Sequence, residues 1–216
     1  MRGKAIVIMS GGPDSSTVAC YVKKEGYEVH GLAFDYGQIA RKEVEHAKII
    51  ANRFQIPLKV IDLSSLKQIF KGATALCDEE IPMPASFEQR IIVPFRNAIF
   101  LSIAVSYANS IGASVVFYGA QGDDASFYPD CRKEFFETFQ KSAQLGTGSS
   151  IRVEAPFHGK KKSEILRIGE KLDLPYELTW SCYLGGAKHC GRCESCLNRK
   201  KAFAEAGIID PTSYES

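Results

Sequence analysis

The residues able to do chemistry fall into two groups at opposite ends of the chain. The first is Ser10-Gly11-Gly12-Pro13-Asp14-Ser15, which interrupts an apolar run, Ala5–Met9, and leads into a helical pattern through Val18, Ala19, Cys20 and Val22. A strand, a small-residue loop and a helix start in that order aim backbone N–H groups and the positive helix end at an anion. Gly11 and Gly12 let the backbone approach a phosphate closely. The expected phosphate contacts run from Ile8 and Met9 at the strand end, through Ser10, Gly11, Gly12 and Pro13, to Asp14, Ser15, Ser16, Thr17 and Val18 in the first helical turns. Ser10, Gly11, Gly12, Ser15 and Ser16 supply donors. An ionised Asp14 only accepts, so its expected partners are a metal ion or the loop's own N–H groups. The loop lacks the Lys-Ser/Thr end of a Walker A motif and the three spaced glycines of a dinucleotide fingerprint. A glycine turn capped by Asp14 or Ser15 is the simpler alternative.

The second group is Cys182, Cys190, Cys193 and Cys196, four of seven cysteines within fifteen positions. Three of these thiols recur at x2 spacing, and four thiolates suit a closed tetrahedral structural zinc site. Lys188, Arg192 and Arg199 are expected to offset its charge. The competing reading is an iron–sulfur cluster. The ferredoxin run would need a further cysteine at position 200, where Lys200 stands. His189 adjoins Cys190 too closely to replace a thiol without strain, so it is expected to support the site from behind or to face solvent.

Between these ends lie four polar segments: Asp35-Tyr36-Gly37-Gln38, Val93-Pro94-Phe95-Arg96-Asn97, Gly119–Asp124 and Tyr128-Pro129-Asp130-Cys131-Arg132. Each has an ordinary reading as a turn or cap. The last is the hardest to read so, because it joins an aromatic ring, a carboxylate and a guanidinium within five residues.

These segments need elements to hold them. Ala5–Met9, Val29–Phe34, Leu58–Ile61 and Val115–Tyr118 read as buried parallel strands. Ser15–Glu25, Ala40–Phe54, Asn97–Ile111 and Ser163–Leu172 read as helices. The alternation predicts an α/β, doubly wound, mainly parallel sheet with ligands at the carboxyl ends of its strands. Ala73–Arg90 reads as a long binding or lid loop, and Gly146–Ser150 as a flexible break. One domain spanning 1–216 is expected, with a cysteine lobe at about 176–216. The 216 residues are 45% hydrophobic and carry a net charge of +2, a balance that does not favour a nucleic-acid binder. The reading finds no signal peptide and no apolar run near the ~20 residues of a membrane span, so a soluble cytoplasmic protein is expected.

Ser10-Gly-Gly-Pro-Asp-Ser15 resembles the pyrophosphate loop of PP-loop ATP pyrophosphatases. With Asp35–Gln38, Val93–Asn97, Tyr128–Arg132, Lys162-Ser-Glu-Ile165, Thr179-Trp-Ser-Cys-Tyr183 and the cysteine set in one order, the whole chain is similar to the 7-cyano-7-deazaguanine synthases of queuosine and archaeosine biosynthesis. The family usually has Gly where Phe95 stands and an Asn-Ala-Val-Asp-like segment where Gln121–Asp124 stands. The resemblance implies an adenine nucleotide alpha hydrolase-like fold, one structural zinc per subunit, ATP with Mg²⁺ as cosubstrate, and a homodimer. It implies a carbon–nitrogen ligase that makes the nitrile from 7-carboxy-7-deazaguanine and free ammonia, with no direct nucleic-acid partner and no membrane. A carboxylate accepts ammonia only after activation, and losing two oxygens calls for two adenylations with an amide between them. Asp14, Ser15, Arg96 and Lys162 take the expected catalytic roles; Tyr36, Gln38, Asn97, Tyr128, Asp130 and Arg132 are expected to hold the substrate. Asp130 suits the N–H donors of a guanine edge, Tyr128 or Phe127 its ring, and Arg96 or Arg132 its carboxylate. A tRNA-modifying PP-loop enzyme and a non-catalytic nucleotide-binding module are the alternatives.

Overall fold

The structure is a computed structural model and describes residues 2–215. Five parallel strands form one sheet in the order β3-β2-β1-β4-β5, from Leu58–Asp62 (β3), Glu28–Asp35 (β2), Lys4–Ile8 (β1), Val115–Phe117 (β4) and Arg152–Glu154 (β5). Ala5 on β1 pairs with Val29 on one side and Val115 on the other. The strand order therefore reverses beside β1, and such a switch point leaves a crevice at the strands' carboxyl ends.

Alternate residues of β1 serve different cores because successive side chains point to opposite faces. Ala5 and Val7 pack with helices α1 (Pro13–Lys24), α2 (Lys42–Arg53), α6 (Lys162–Glu170) and α7 (Glu194–Ala206). Ile6 packs with α4 (Arg96–Ile111) and α5 (Lys133–Thr147). Coverage of both faces explains why the inner strands read as unbroken apolar runs. A single turn, α3 (Lys67–Phe70), follows β3.

Three expectations need correction. Helix α5 and strand β5 go beyond the expected elements: β5 has only Val153 buried between charged neighbours, and α5 has only Phe136 buried. Helix α5 also runs through Gly146 and ends at Gly148, whose φ of +64° suits a glycine cap. Finally, residues 89–111 are long and apolar enough to cross a membrane. They do not span one here: the helical part begins only at Arg96 and packs into the core through Phe100, Leu101 and Ala104. The 73–90 segment is irregular, as expected, but pinned: Thr74, Ala75 and Cys77 are fully buried, and Ala75 N–H donates to Arg90 O.

Gly11 shows how the fold shapes the phosphate loop. Its φ is +78°, and an added Cβ would lie 2.7 Å from the Ala47 nitrogen and closer still to the Glu43 carbonyl oxygen. Helix α2 thus rests directly on the loop. Gly11→Ala combines a left-handed backbone with a clash against main chain, so a loss of about 3 kcal/mol is expected in urea unfolding.

Candidate active site

One continuous cavity opens at the carboxyl ends of β1, β2 and β4. Its phosphate end is the loop after β1. Helix α1 starts at Pro13 with Gly12 as N-cap and no side-chain cap, so neither Asp14 nor Ser15 fills the capping role. Ser10 N–H donates to Ser15 Oγ at 3.1 Å, which folds the loop back on the helix start. Ile8, Met9, Ser10, Gly12, Pro13, Asp14 and Ser15 line the cavity. Gly11, Ser16, Thr17 and Val18 do not. Ser16 and Thr17 are fully buried; Ser16 N–H donates to Gly12 O and Thr17 Oγ–H to Pro13 O, while the Ser16 hydroxyl is buried without a partner.

Asp14 finds its partner in a residue 148 positions away. Lys162 Nζ, at the start of α6, donates to Asp14 Oδ2 at 2.8 Å. This replaces the expected bonds from the loop's own N–H groups. Asp14 Oδ1 is buried without a hydrogen-bond donor. Burial alone would lower the Lys162 pKa, but Asp14 and then Asp124 outweigh it and hold the ammonium above the usual lysine range. Asp123 is a cap after all, taking the Lys162 backbone N–H at 2.9 Å. Asp124 faces the cavity instead, and burial pushes its carboxyl up to about 7.

The other end of the cavity is built by β2 and α4. Arg96 donates through Nη1 to the buried Tyr36 hydroxyl at 2.9 Å. Asn97 N–H donates to Asp130 Oδ2 at 3.2 Å, so Asp130 caps α4 while still lining the cavity. Gln38 spends its amide on its own turn, accepting from Tyr36 N–H and donating to Phe34 O. Tyr128 lines the cavity, whereas Arg132 is exposed outside it and donates to Ala125 O. That leaves Arg96 as the guanidinium on the cavity wall. Cys131 is a packed thiol, pushed well up by burial and by Asp124 and Asp130. Phe95, where the resembled family usually has Gly, adopts φ +56° and is 67% exposed. The position thus has the left-handed backbone that glycine favours.

The four thiols meet as expected. Cys182, Cys190, Cys193 and Cys196 are all buried, with their sulfurs within 4.8 Å of one another. Cys190 N–H and Cys193 N–H point at the sulfurs of Cys182 and Cys190. Backbone donors of this kind support thiolates, and an all-sulfur donor set of four fits a tetrahedral zinc ion. Arg199 does not serve the thiolates. Fully buried, it pairs with Asp210 at 3.1 Å and donates to Thr179, Ser181 and Tyr176 O, while Lys188 and Arg192 stay exposed. His189 is buried rather than solvent-facing. It packs at a tilt against Trp180 and accepts the Ser181 N–H at 3.0 Å; burial, helped by Arg199, lowers its pKa to about 4, which keeps that nitrogen an acceptor.

The cysteine lobe is also a wall of the cavity. Trp180, Ser181, Tyr183, Glu194 and Asn198 line it, and Trp180 N–H donates to Gly11 O at 2.9 Å. Sequence reasoning assigned these residues no role, and it missed Glu43. Glu43 projects from the first turn of α2 into the cavity, and burial pushes its carboxyl up to about 7 against the pull of Arg96. The available signal was position: a carboxylate at a helix start just after the polar turn that ends β2.

The queuosine biosynthesis protein QueC family matches residues 4–207. A 7-cyano-7-deazaguanine synthase of Thermoplasma acidophilum is 46% identical, over 99% of this chain and 93% of that protein. One of Caldicellulosiruptor bescii is 43% identical, over 98% of this chain and 97% of that protein. Among solved structures, an NMN synthetase of Francisella tularensis superposes over 95% of this chain and 78% of its own, with a TM-score of 0.57 and 16% identity, which speaks to fold alone. The fold, the loop geometry and a match over nearly the whole chain place this protein in the QueC family of queuosine biosynthesis proteins.

Proposed function

We propose that the chain is an ATP-dependent carbon–nitrogen ligase that converts 7-carboxy-7-deazaguanine and ammonia to 7-cyano-7-deazaguanine. The observation that carries this reading is the single cavity joining the phosphate loop to Arg96 and Asp130. In this scheme Ser10, Ser15 and the N–H groups of the first turn of α1, which no side chain caps, cradle the polyphosphate, and Lys162 neutralises charge developing on it. Asp14 and Asp124 would hold the Mg²⁺ that accompanies ATP, and the ion would supply electrostatic stabilisation of the leaving pyrophosphate. Arg96 binds the substrate carboxylate, Asp130 Oδ1, met only by the Cys131 thiol at 3.9 Å, takes the guanine-type edge, and Tyr128 borders the ring. Gln38 and Asn97 act by holding the walls in place.

The carboxylate oxygen attacks the α-phosphorus and pyrophosphate leaves. Ammonia displaces AMP to give the amide. The amide oxygen is adenylated in turn, and loss of AMP with N–H protons leaves the nitrile. The four cysteines hold a structural zinc that takes no part in these steps. A homodimer, a cytoplasmic location and the lack of a nucleic-acid partner belong to the same reading. Incubation with 7-carboxy-7-deazaguanine, ammonium chloride, ATP and Mg²⁺ should yield the nitrile, AMP and pyrophosphate by mass spectrometry. Absence of all three products from zinc-loaded protein would refute it.

A further inference from the structure

The reaction just proposed must shed protons from nitrogen, and that scheme assigns no group to receive them. Ammonia arrives mostly as ammonium at neutral pH, amination of the acyl adenylate releases a proton, and dehydration of the amide releases the remaining ones. The cavity carboxylates are unequal candidates. Glu194 is occupied by Asn198 Nδ2 at 2.6 Å and the Tyr183 hydroxyl at 3.3 Å. Asp130 accepts from Asn97 N–H and from the Cys131 thiol, and Asp14 is half-occupied by Lys162. Asp124 stands beside Lys162 and Asp14 at the phosphate end. Glu43 differs from all of these. Among the described residues its carboxylate accepts no hydrogen bond and has no cation within 4.0 Å.

Its position is also distinct. The backbone of Glu43 rests on Gly11 of the phosphate loop, and its side chain faces the cavity on the side of Arg96 and Tyr36. An acyl group joined to the α-phosphate at one end and steered by Arg96 at the other must pass between those two features. We propose that Glu43 is the catalytic proton acceptor for nitrogen, a role that rests on the ligase reading above. In amination the N–C bond forms, Glu43 takes an N–H proton, the C–O bond to phosphate breaks and AMP leaves. In dehydration the adenylated amide loses its N–H protons in turn to Glu43 as the C–O bond breaks, giving the nitrile and a second AMP. Water carries each proton away between steps.

Hydroxylamine provides the test, because it is unprotonated at neutral pH and attacks acyl adenylates without a base. With zinc-loaded Glu43→Gln, ammonia-dependent amide and nitrile formation should fall on the order of 100-fold. Hydroxamate formation from hydroxylamine, and the affinity for ATP, should stay within about threefold of wild type, inside the spread of an uncoupled site. Glu43→Asp, which keeps a carboxylate, should recover part of the ammonia reaction and guards against a fold defect in the first variant. Full ammonia-dependent turnover in Glu43→Gln would overturn the role. So would an equal loss of both nucleophiles' products, since that marks a structural part. If wild-type protein yields neither hydroxamate nor AMP from 7-carboxy-7-deazaguanine, the ligase reading itself is at fault.

Discussion

Cys196→Ser should lose its zinc and, with it, the far wall of the cavity. Cys196 is fully buried with three other thiols whose sulfurs all lie within 4.8 Å of one another. Four thiols this close, without a metal, leave a polar centre that packing alone does not stabilise. Binding of structural zinc contributes on the order of 10 kcal/mol to the folding of small metal domains. A one-ligand defect that forfeits about half of it should lower the midpoint of thermal unfolding by roughly 10–20 °C in a chain of this size. Elemental analysis should give one zinc per chain for wild type and well under one for the variant, with colourless protein in both cases. A brown wild-type protein with acid-labile sulfide would point to iron instead. Because Trp180, Ser181, Tyr183 and Glu194 line the cavity, ATP affinity should drop together with metal content.

Lys162→Ala should be the most damaging single change in the phosphate end. Its side chain is only 20% exposed and its ammonium bonds Asp14 at 2.8 Å. Removing it takes away a cation where charge develops on pyrophosphate and leaves both Asp14 oxygens unpaired. Loss of one such electrostatic contact lowers turnover by about 10³-fold. Pyrophosphate release under saturating ATP is the measurement. Lys162→Arg should retain part of the rate by keeping the charge, whereas Lys162→Met should not. A rate within tenfold of wild type for Lys162→Ala would remove Lys162 from the catalytic set.

The parts of the site legible in sequence were those with local geometry. The phosphate loop was readable because strand, glycines and helix start follow one another within a dozen residues. The thiols were readable because metal spacing is itself a distance constraint. Residues defined by long-range packing were not. Nothing near position 14 announces Lys162, and nothing near Gly11 announces Trp180. Arg132 illustrates the converse, since it shares a motif with Asp130 yet turns outward to Ala125. Arg199 looked like a counterion for thiolates but lies buried against Asp210. The inner strands were plain because both faces are covered, while β5 and α5 were hidden by sparse burial: Val153 and Phe136 stand alone as their buried residues.

The hydrogen bond from Trp180 to Gly11 carries a consequence for the order of assembly. A nascent chain emerges from its N-terminus at about 5–20 residues per second, and early elements begin to fold as they appear. β1, α1 and β2 are available from the start, so the phosphate loop can take shape early. Its last support arrives only with Trp180, and Lys162 comes little sooner. Contacts this far apart in sequence form late, since the connecting chain must first close a long loop. The growing polypeptide therefore has a phosphate cradle long before it has a nucleotide site, and capture of ATP is deferred until the four-cysteine lobe has been made.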